Sequence, residues 1–256
     1  QARGARNASD FSKQEAKIVA AINLLGADVV ALQEIENSAA LGEATDEALA
    51  TLVSALNAAA GAGTWAFVPS STDLPPASDQ DVITNAIIYK TGRVTTVGRS
   101  RSLADEVNFD NAREPVAQTF SAAGDVFTVI GNHLKSKSGT GTGANADTGQ
   151  GSFNGDRVGQ AQVVLTFAEQ LRSETGDSDV IVLGDLNAYT QEDPVDVLRR
   201  GGFRDLVETE KPGDHSYVFD GLSGSLDHAM ASIPLSQKVT GVDVWNINSP
   251  EPDAYQ

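Results

Sequence analysis

The stretch IVLGDLNAY, residues 181–189, decides how this chain reads. Ile181, Val182 and Leu183 suit a buried strand, yet the run breaks into Gly-Asp-Leu-Asn and ends on an acid and an amide. In an extended segment, residues two apart point to the same side. Asp185 and Asn187 would then face one cleft, with Leu186 turned to the packed layer, and the amide could orient whatever the acid activates. The same four residues also read as an ordinary turn held by Asx hydrogen bonds. Local sequence leaves both readings open.

Three further strands end in the same manner: VVALQE at Glu34, VIGNH at His133 and SGSLDH at Asp227 and His228. A polar residue that closes an apolar strand points into whatever lies at the sheet edge. Taken singly, each acid reads as a solvated loop residue and each histidine as a satisfied structural one. Together they say more, because the chain has only 3 histidines and two of them sit at such ends. Glu, Asp and Asn are hard oxygen donors, suited to Mg²⁺, Mn²⁺ or Ca²⁺ rather than zinc. That set implies cation-assisted attack of water on a phosphoester, with an Asp holding the water and imidazoles moving protons.

Composition bounds the alternatives. A chain of 256 residues with 40% apolar content can build one large core, and a single domain over 1–256 is expected. No run approaches the ~18 to 20 apolar residues of a membrane span, and QARGARNASDF at the start lacks the apolar stretch of an uncleaved signal peptide. A soluble or already processed protein is expected. There is no cysteine, which excludes disulfides, thiolate catalysis and Cys-ligated zinc. With 18 Lys and Arg against 35 Asp and Glu, the net charge of −17 repels a polyanion on average. A nucleic-acid substrate would therefore need divalent cations and a local basic patch.

Periodicity predicts helices over 11–25, 44–60, 156–173 and 194–200. Strands are predicted at 28–32, 65–69, 82–89, 93–98, 116–122, 125–134 and 179–185, with TGR and AAGD as hairpin connections, and again near Tyr217, at 226–231 and at 239–245. Residues 136–151 are too Gly-rich for regular structure and read as a long loop of the kind that is often functional. Strands and helices mix without strict βαβ alternation, which predicts an α/β fold of two packed, largely antiparallel sheets flanked by helices.

At this point the motifs, in their order, resemble the endonuclease/exonuclease/phosphatase superfamily typified by deoxyribonuclease I. They are LQEIEN (32–37), NAIIYK (85–90), NAREPVAQTF (111–120), GNHLKSK (131–137), GDLNAY (184–189) and SLDH (225–228). The segments GQGSFNGDRVGQAQ, LNAYTQEDPV and YVFDGLSGSLDHAMAS look similar to secreted bacterial extracellular nucleases.

The resemblance implies a four-layer α/β sandwich of two mainly antiparallel mixed sheets flanked by helices. It also implies hydrolysis of phosphodiesters, usually DNA and sometimes RNA, with Mg²⁺ or Mn²⁺, or Ca²⁺, as cofactor. Glu34 matches a metal ligand and Asp185 a second. His133 matches the histidine that stabilises phosphate or protonates the leaving group, Asp185 and Asn187 the pair that positions water and phosphate, and Asp227 an acid that orients a histidine. Asp81 falls where an acid partner for the first histidine is expected. Arg113, Arg157 and Lys135 are expected phosphate contacts, and His228 is expected to line the site. By the same resemblance the first strand and the last Ser-Asp-His strand fall outside this chain. A secreted, monomeric nuclease is the leading expectation. A phosphatase or lipid phosphodiesterase of the same fold and a catalytically incomplete binding module stand as alternatives.

Overall fold

The computed structural model describes residues 5–247. The first four residues and the tail SPEPDAYQ, on which the expectation about terminal strands partly rests, lie outside them.

Helix α1 (Ala8–Leu25) starts at Asn7, whose side-chain oxygen accepts the Asp10 N–H at 3.0 Å, and stops at Gly26, where φ is 72°. Strand β1 (Val29–Glu36) follows, then α2 (Glu47–Ala60), β2 (Trp65–Phe67) and β3 (Ile83–Lys90). These strands form a small antiparallel sheet in the order β1-β3-β2. Ile22 of α1 and Leu49, Val53 and Leu56 of α2 pack on Trp65, Ala86 and Ile88, which closes the first apolar layer.

A second sheet of six strands carries β4 (Thr95–Arg101), β5 (Arg113–Ala122), β6 (Asp125–His133), β7 (Val180–Asp185), β8 (Phe203–Asp205) and β11 (Asp227–Ser232). Their order is β4-β5-β6-β7-β11-β8. All neighbours are antiparallel except β6 and β7, which are parallel because α3 (Asn154–Thr175) carries the chain back between them. Short helices α4 (Asp193–Arg200), α5 (Leu206–Glu210) and α6 (Ile233–Ser236) and the hairpin of β9 (Tyr217–Phe219) and β10 (Leu222–Gly224) complete the described fold.

Strand alternation assigns side chains to layers. On β7, Val180 and Val182 face α3 and α4, whereas Ile181 and Leu183 turn to the seam between the sheets. On β6, Ile130 and Val129 divide in the same way. Three apolar layers between two sheets and their helices make the four-layer sandwich, and each fully buried Leu or Ile contributes about 1.5–3 kcal/mol.

Two expectations need correction. TGR does not join a hairpin: β3 and β4 belong to different sheets, so this turn carries the chain across the sandwich. AAGD is a true hairpin turn, with Ala122 opposite Asp125 and positive φ at Ala123 and Gly124. Residues 239–245 form no strand, because the place beside β11 is taken by β8, and Trp245 is exposed.

Candidate active site

Register alone assembles the site. Arg113 at the start of β5 lies opposite His133 at the end of β6, His133 opposite Asp185 at the end of β7, and Asp185 opposite Asp227 at the start of β11. Four residues from distant parts of the chain thus form one row across four adjacent strands at one end of the large sheet. The small sheet supplies Glu34, which sits in a bulge of β1 between Leu32 and Ile35 with φ at 57°. A non-glycine residue in that region is strained, and such strain is found where a fold holds a side chain for function.

Asp185 is the hub. Its Oδ1 accepts the Asn187 backbone N–H at 2.7 Å, and its Oδ2 lies 3.5 Å from His133 Nε2. Burial is the largest influence on its carboxyl, which is pushed up to about 6; the charges of Asp227 and Glu34 act in the same direction against Arg113 and the Asn187 N–H. His133 is held down to about 3, first by burial and then by the Arg113 guanidinium, so it is neutral at physiological pH. Its Nδ1 is buried without a hydrogen-bond partner. A neutral imidazole offers one N–H to a phosphoryl oxygen without the cost of a buried cation.

Arg113 is also buried, and burial lowers its pKa against the pull of Asp81, Asp185 and Glu34. Its Nη1 is 3.5 Å from Asp81 Oδ2. Asp81 therefore pairs with the arginine rather than with a histidine as expected. Of the two readings of Gly-Asp-Leu-Asn, the structure realises the turn, since β7 ends at Asp185. The Asx turn is present, and Asn187 follows Asp185 with a left-handed backbone, φ 47°, rather than continuing the strand. Its Nδ2 donates to the Leu134 carbonyl at 3.1 Å, which ties the ends of β6 and β7 together.

Two expected substrate contacts are placed elsewhere. Arg157 is fully buried, and its guanidinium donates to the carbonyls of Lys135, Gln150 and Ser152 at 2.8–3.2 Å. It cannot turn to a phosphate without abandoning those carbonyls, so it serves as the clamp of the Gly-rich loop. Asn145 donates to Asp156, and Lys137 holds Glu192 and the Gln150 carbonyl, so this loop is fastened rather than free to sweep over a ligand. His228 is buried with both ring nitrogens engaged, Nδ1 to Asp205 and Nε2 to the Ala188 carbonyl, each at 2.8 Å. It supports the site from behind and lines no cleft. Lys135 follows His133 by two residues, and its ammonium lies 4.9 Å from the centre of the Phe153 ring.

Sequence reasoning missed Asp205 and Gly184. Asp205 gave no signal, since a carboxylate in FRDL resembles any helix cap. Gly184 sits in the quoted motif with φ at 135°, and a Cβ there would lie 2.0 Å from the Asn132 carbonyl oxygen. That close approach lets β7 bring Asp185 level with His133. Gly184→Ala should cost roughly 1–3 kcal/mol of stability through strain alone and reduce turnover by displacing Asp185; an unchanged urea midpoint would show that the strand end tolerates the shift.

The donor set suits a hard divalent cation. Glu34 and Asp185 approach from the two sheets, and Asp185 lacks enough positive charge nearby to keep its carboxyl at the usual value. Among the described residues no group of three His, Cys, Asp or Glu converges as a ready-made cage. One or two carboxylates completed by water and a substrate phosphate is the manner in which Mg²⁺ is commonly held.

Comparison with known proteins agrees with this architecture. Residues 2–249 match the model described as the endonuclease/exonuclease/phosphatase family. No curated protein matches the chain by sequence. Among solved structures, the human nocturnin catalytic domain with bound sulfate is 17% identical at a TM-score of 0.56, over 87% of this chain and 75% of that one. D. rerio TDP2 complexed with a single-strand DNA product is 17% identical at 0.57, over 86% and 77%. A mannosyl-6-phosphatase of Bacteroides thetaiotaomicron is 15% identical at 0.57, over 90% and 82%. At these identities the likeness is one of fold.

Proposed function

The chain belongs to the endonuclease/exonuclease/phosphatase family, that is, to hydrolases of the phosphodiesterase and phosphatase type, and from that premise we propose that it is a secreted, divalent-cation-dependent nuclease of low sequence preference acting on DNA or RNA. The observation that carries this reading is the register row of Arg113, His133, Asp185 and Asp227 facing Glu34. The row places a base, a neutral hydrogen-bond donor and a guanidinium side by side, as hydrolysis of a phosphodiester requires.

Each residue has a task that its surroundings permit. Glu34 and Asp185 would hold a cation, which when bound neutralises phosphate charge and eases departure of the leaving oxygen. Asp185 also accepts a proton from the attacking water, which Asn187 and the row hold against it. His133 donates its N–H to a phosphoryl oxygen. Arg113, anchored by Asp81, offers its charge to the phosphate, and Asn187 fixes the strand ends. Asp227 lies opposite Asp185 and keeps the site anionic when no cation is bound.

Nicking of supercoiled plasmid with Mg²⁺ or Mn²⁺, abolished by EDTA and restored by excess metal, is the expected result. No metal-dependent cleavage of DNA or RNA by the purified protein would end the nuclease reading. Faster release of phosphate from sugar phosphates or of phosphocholine from sphingomyelin would move the assignment to a phosphatase or lipid phosphodiesterase.

A further inference from the structure

The hairpin of β9 and β10 exposes a set of apolar side chains that packing does not explain. Tyr217 is 40% exposed, Phe219 64% and Leu222 76%. Tyr217 and Phe219 are two apart on one strand and so share a face, with rings nearly parallel, 9° between planes, and centroids 6.2 Å apart. In the ladder Tyr217 lies opposite Gly224 and Phe219 opposite Leu222.

Gly224 matters here because it has no side chain. A Cβ at that position would come within 2.7 Å of the Tyr189 ring, so the glycine admits Tyr189 to the hairpin. Tyr189 belongs to the GDLNAY segment, and Lys137 Nζ lies 5.1 Å from its ring centre. The hairpin is also tied to the catalytic row: Ser216 Oγ accepts the backbone N–H groups of Leu226 and Asp227. Aromatic rings thus continue from the row at Asp227 outward to Phe219.

We propose that Tyr217 and Phe219, continued by Tyr189, form a stacking platform that receives successive unpaired bases of a single-stranded polynucleotide whose backbone enters the row of Arg113, His133, Asp185 and Asp227. The inference rests on the nuclease reading and names its substrate class. Two flat rings two residues apart on one strand, with centroids 6.2 Å apart, offer faces to successive bases of an extended strand, and bases stack on such rings whatever their sequence. Duplex bases hide their faces in mutual stacking, so only single-stranded or frayed ends can use the platform. Lys137 lies against the Tyr189 end of the platform, with its charge shared with Glu192. Asp220 at the hairpin tip disfavours burial of this face in a lipid surface. DNA and RNA share the recognised feature, the open base face.

The test compares the whole protein with Phe219→Ala, Tyr217→Ala and Phe219→Trp on a thymidine oligonucleotide, its ribose counterpart, the same oligonucleotide carrying base-free sugars, and the annealed duplex. Each alanine variant should raise KM for the single-stranded oligonucleotides about tenfold, the order of one lost stacking contact, with a smaller change on the duplex. The base-free strand should bind wild type more weakly than the normal strand binds either alanine variant, since it loses every stacking contact at once. Phe219→Trp should restore affinity, and its indole emission should be quenched on adding the oligonucleotide. Val218→Ala, on the opposite face of the hairpin, should match wild type. Equal KM values for wild type and both alanine variants, in an enzyme that cleaves DNA, would overturn the platform and leave the nuclease reading intact. A wild type that cleaves no polynucleotide would overturn both.

Discussion

Asp185→Asn should lower turnover by about 10²- to 10⁴-fold while leaving the fold at least as stable as wild type at pH 8. The first half follows from the role proposed for it in the row, where the carboxylate would accept the proton of the attacking water. The second follows from its surroundings. Burial, with Asp227 and Glu34 reinforcing it, pushes the Asp185 carboxyl up to about 6. A folded-state pKa above the unfolded value means that the folded chain holds this proton more tightly than the unfolded one. Stability attached to it is present below the unfolded value, near 4, and is lost as pH rises through about 6. At pH 8 the ionised group therefore costs the cation-free fold on the order of 3 kcal/mol.

An amide removes that cost and keeps the oxygen that accepts the Asn187 N–H. Kinetics on a phosphodiester substrate, together with thermal melts in EDTA at pH 4 and pH 8, check both halves. The melting temperatures should coincide at low pH and diverge in favour of Asp185→Asn at high pH. A variant that melts well below wild type at pH 8 would mean that the carboxylate holds the strand end together and that its loss of activity is indirect.

The same arithmetic explains what could be read from the chain and what could not. Strand ends were legible because burial imposes its own signature: Val180 to Leu183 and Val126 to Ile130 had to lie within a sheet, so the polar residues that close them had to reach its edge. Which edges would meet was not legible, since register depends on partners as far as 60 residues away along the chain. The TGR turn shows the limit, because a tight turn leaves the destination of the next strand open, and here that strand joins the other sheet. Charge proved a poor guide to exposure. Arg157 and His228 look like surface ligands in the sequence, but each meets enough backbone carbonyl or carboxylate oxygen to be buried with its polar atoms largely occupied. Their contribution to the site is rigidity, which leaves no local motif.

Asp205→Ala should destabilise the fold by about 3–5 kcal/mol, the largest effect expected of any residue outside the catalytic row. The Ala188 carbonyl can only accept, so the His228 Nε2 facing it must carry a proton. Nδ1 faces the Asp205 carboxylate, and despite the opposing effect of burial the hydrogen bond and charge of Asp205 raise the histidine pKa. Asp205 thus keeps the ring protonated to higher pH than a free histidine, and both side chains are almost without solvent contact. Stability drawn from a raised histidine is present in full below its unfolded pKa, near 6.5, and is lost as pH rises through the folded value.

Removing the carboxylate strands a buried imidazole and also takes away the oxygen that accepts the Glu208 N–H at the start of α5. Asp205→Asn behaves differently. A neutral imidazole protonated at Nε2 still donates to Ala188, and its bare Nδ1 accepts from the new amide, so geometry survives and only the pH dependence disappears. Urea unfolding followed from pH 6 upward separates the cases: wild type should lose stability as pH rises, Asp205→Asn should hold a nearly level midpoint, and Asp205→Ala should unfold early throughout. Because Ala188 follows Asn187 directly, Asp205→Ala should also lower kcat with little change in KM, and Asp205→Asn should recover most of it. If both variants unfold alike and neither recovers turnover, the clamp on the Ala188 carbonyl does not position the catalytic turn.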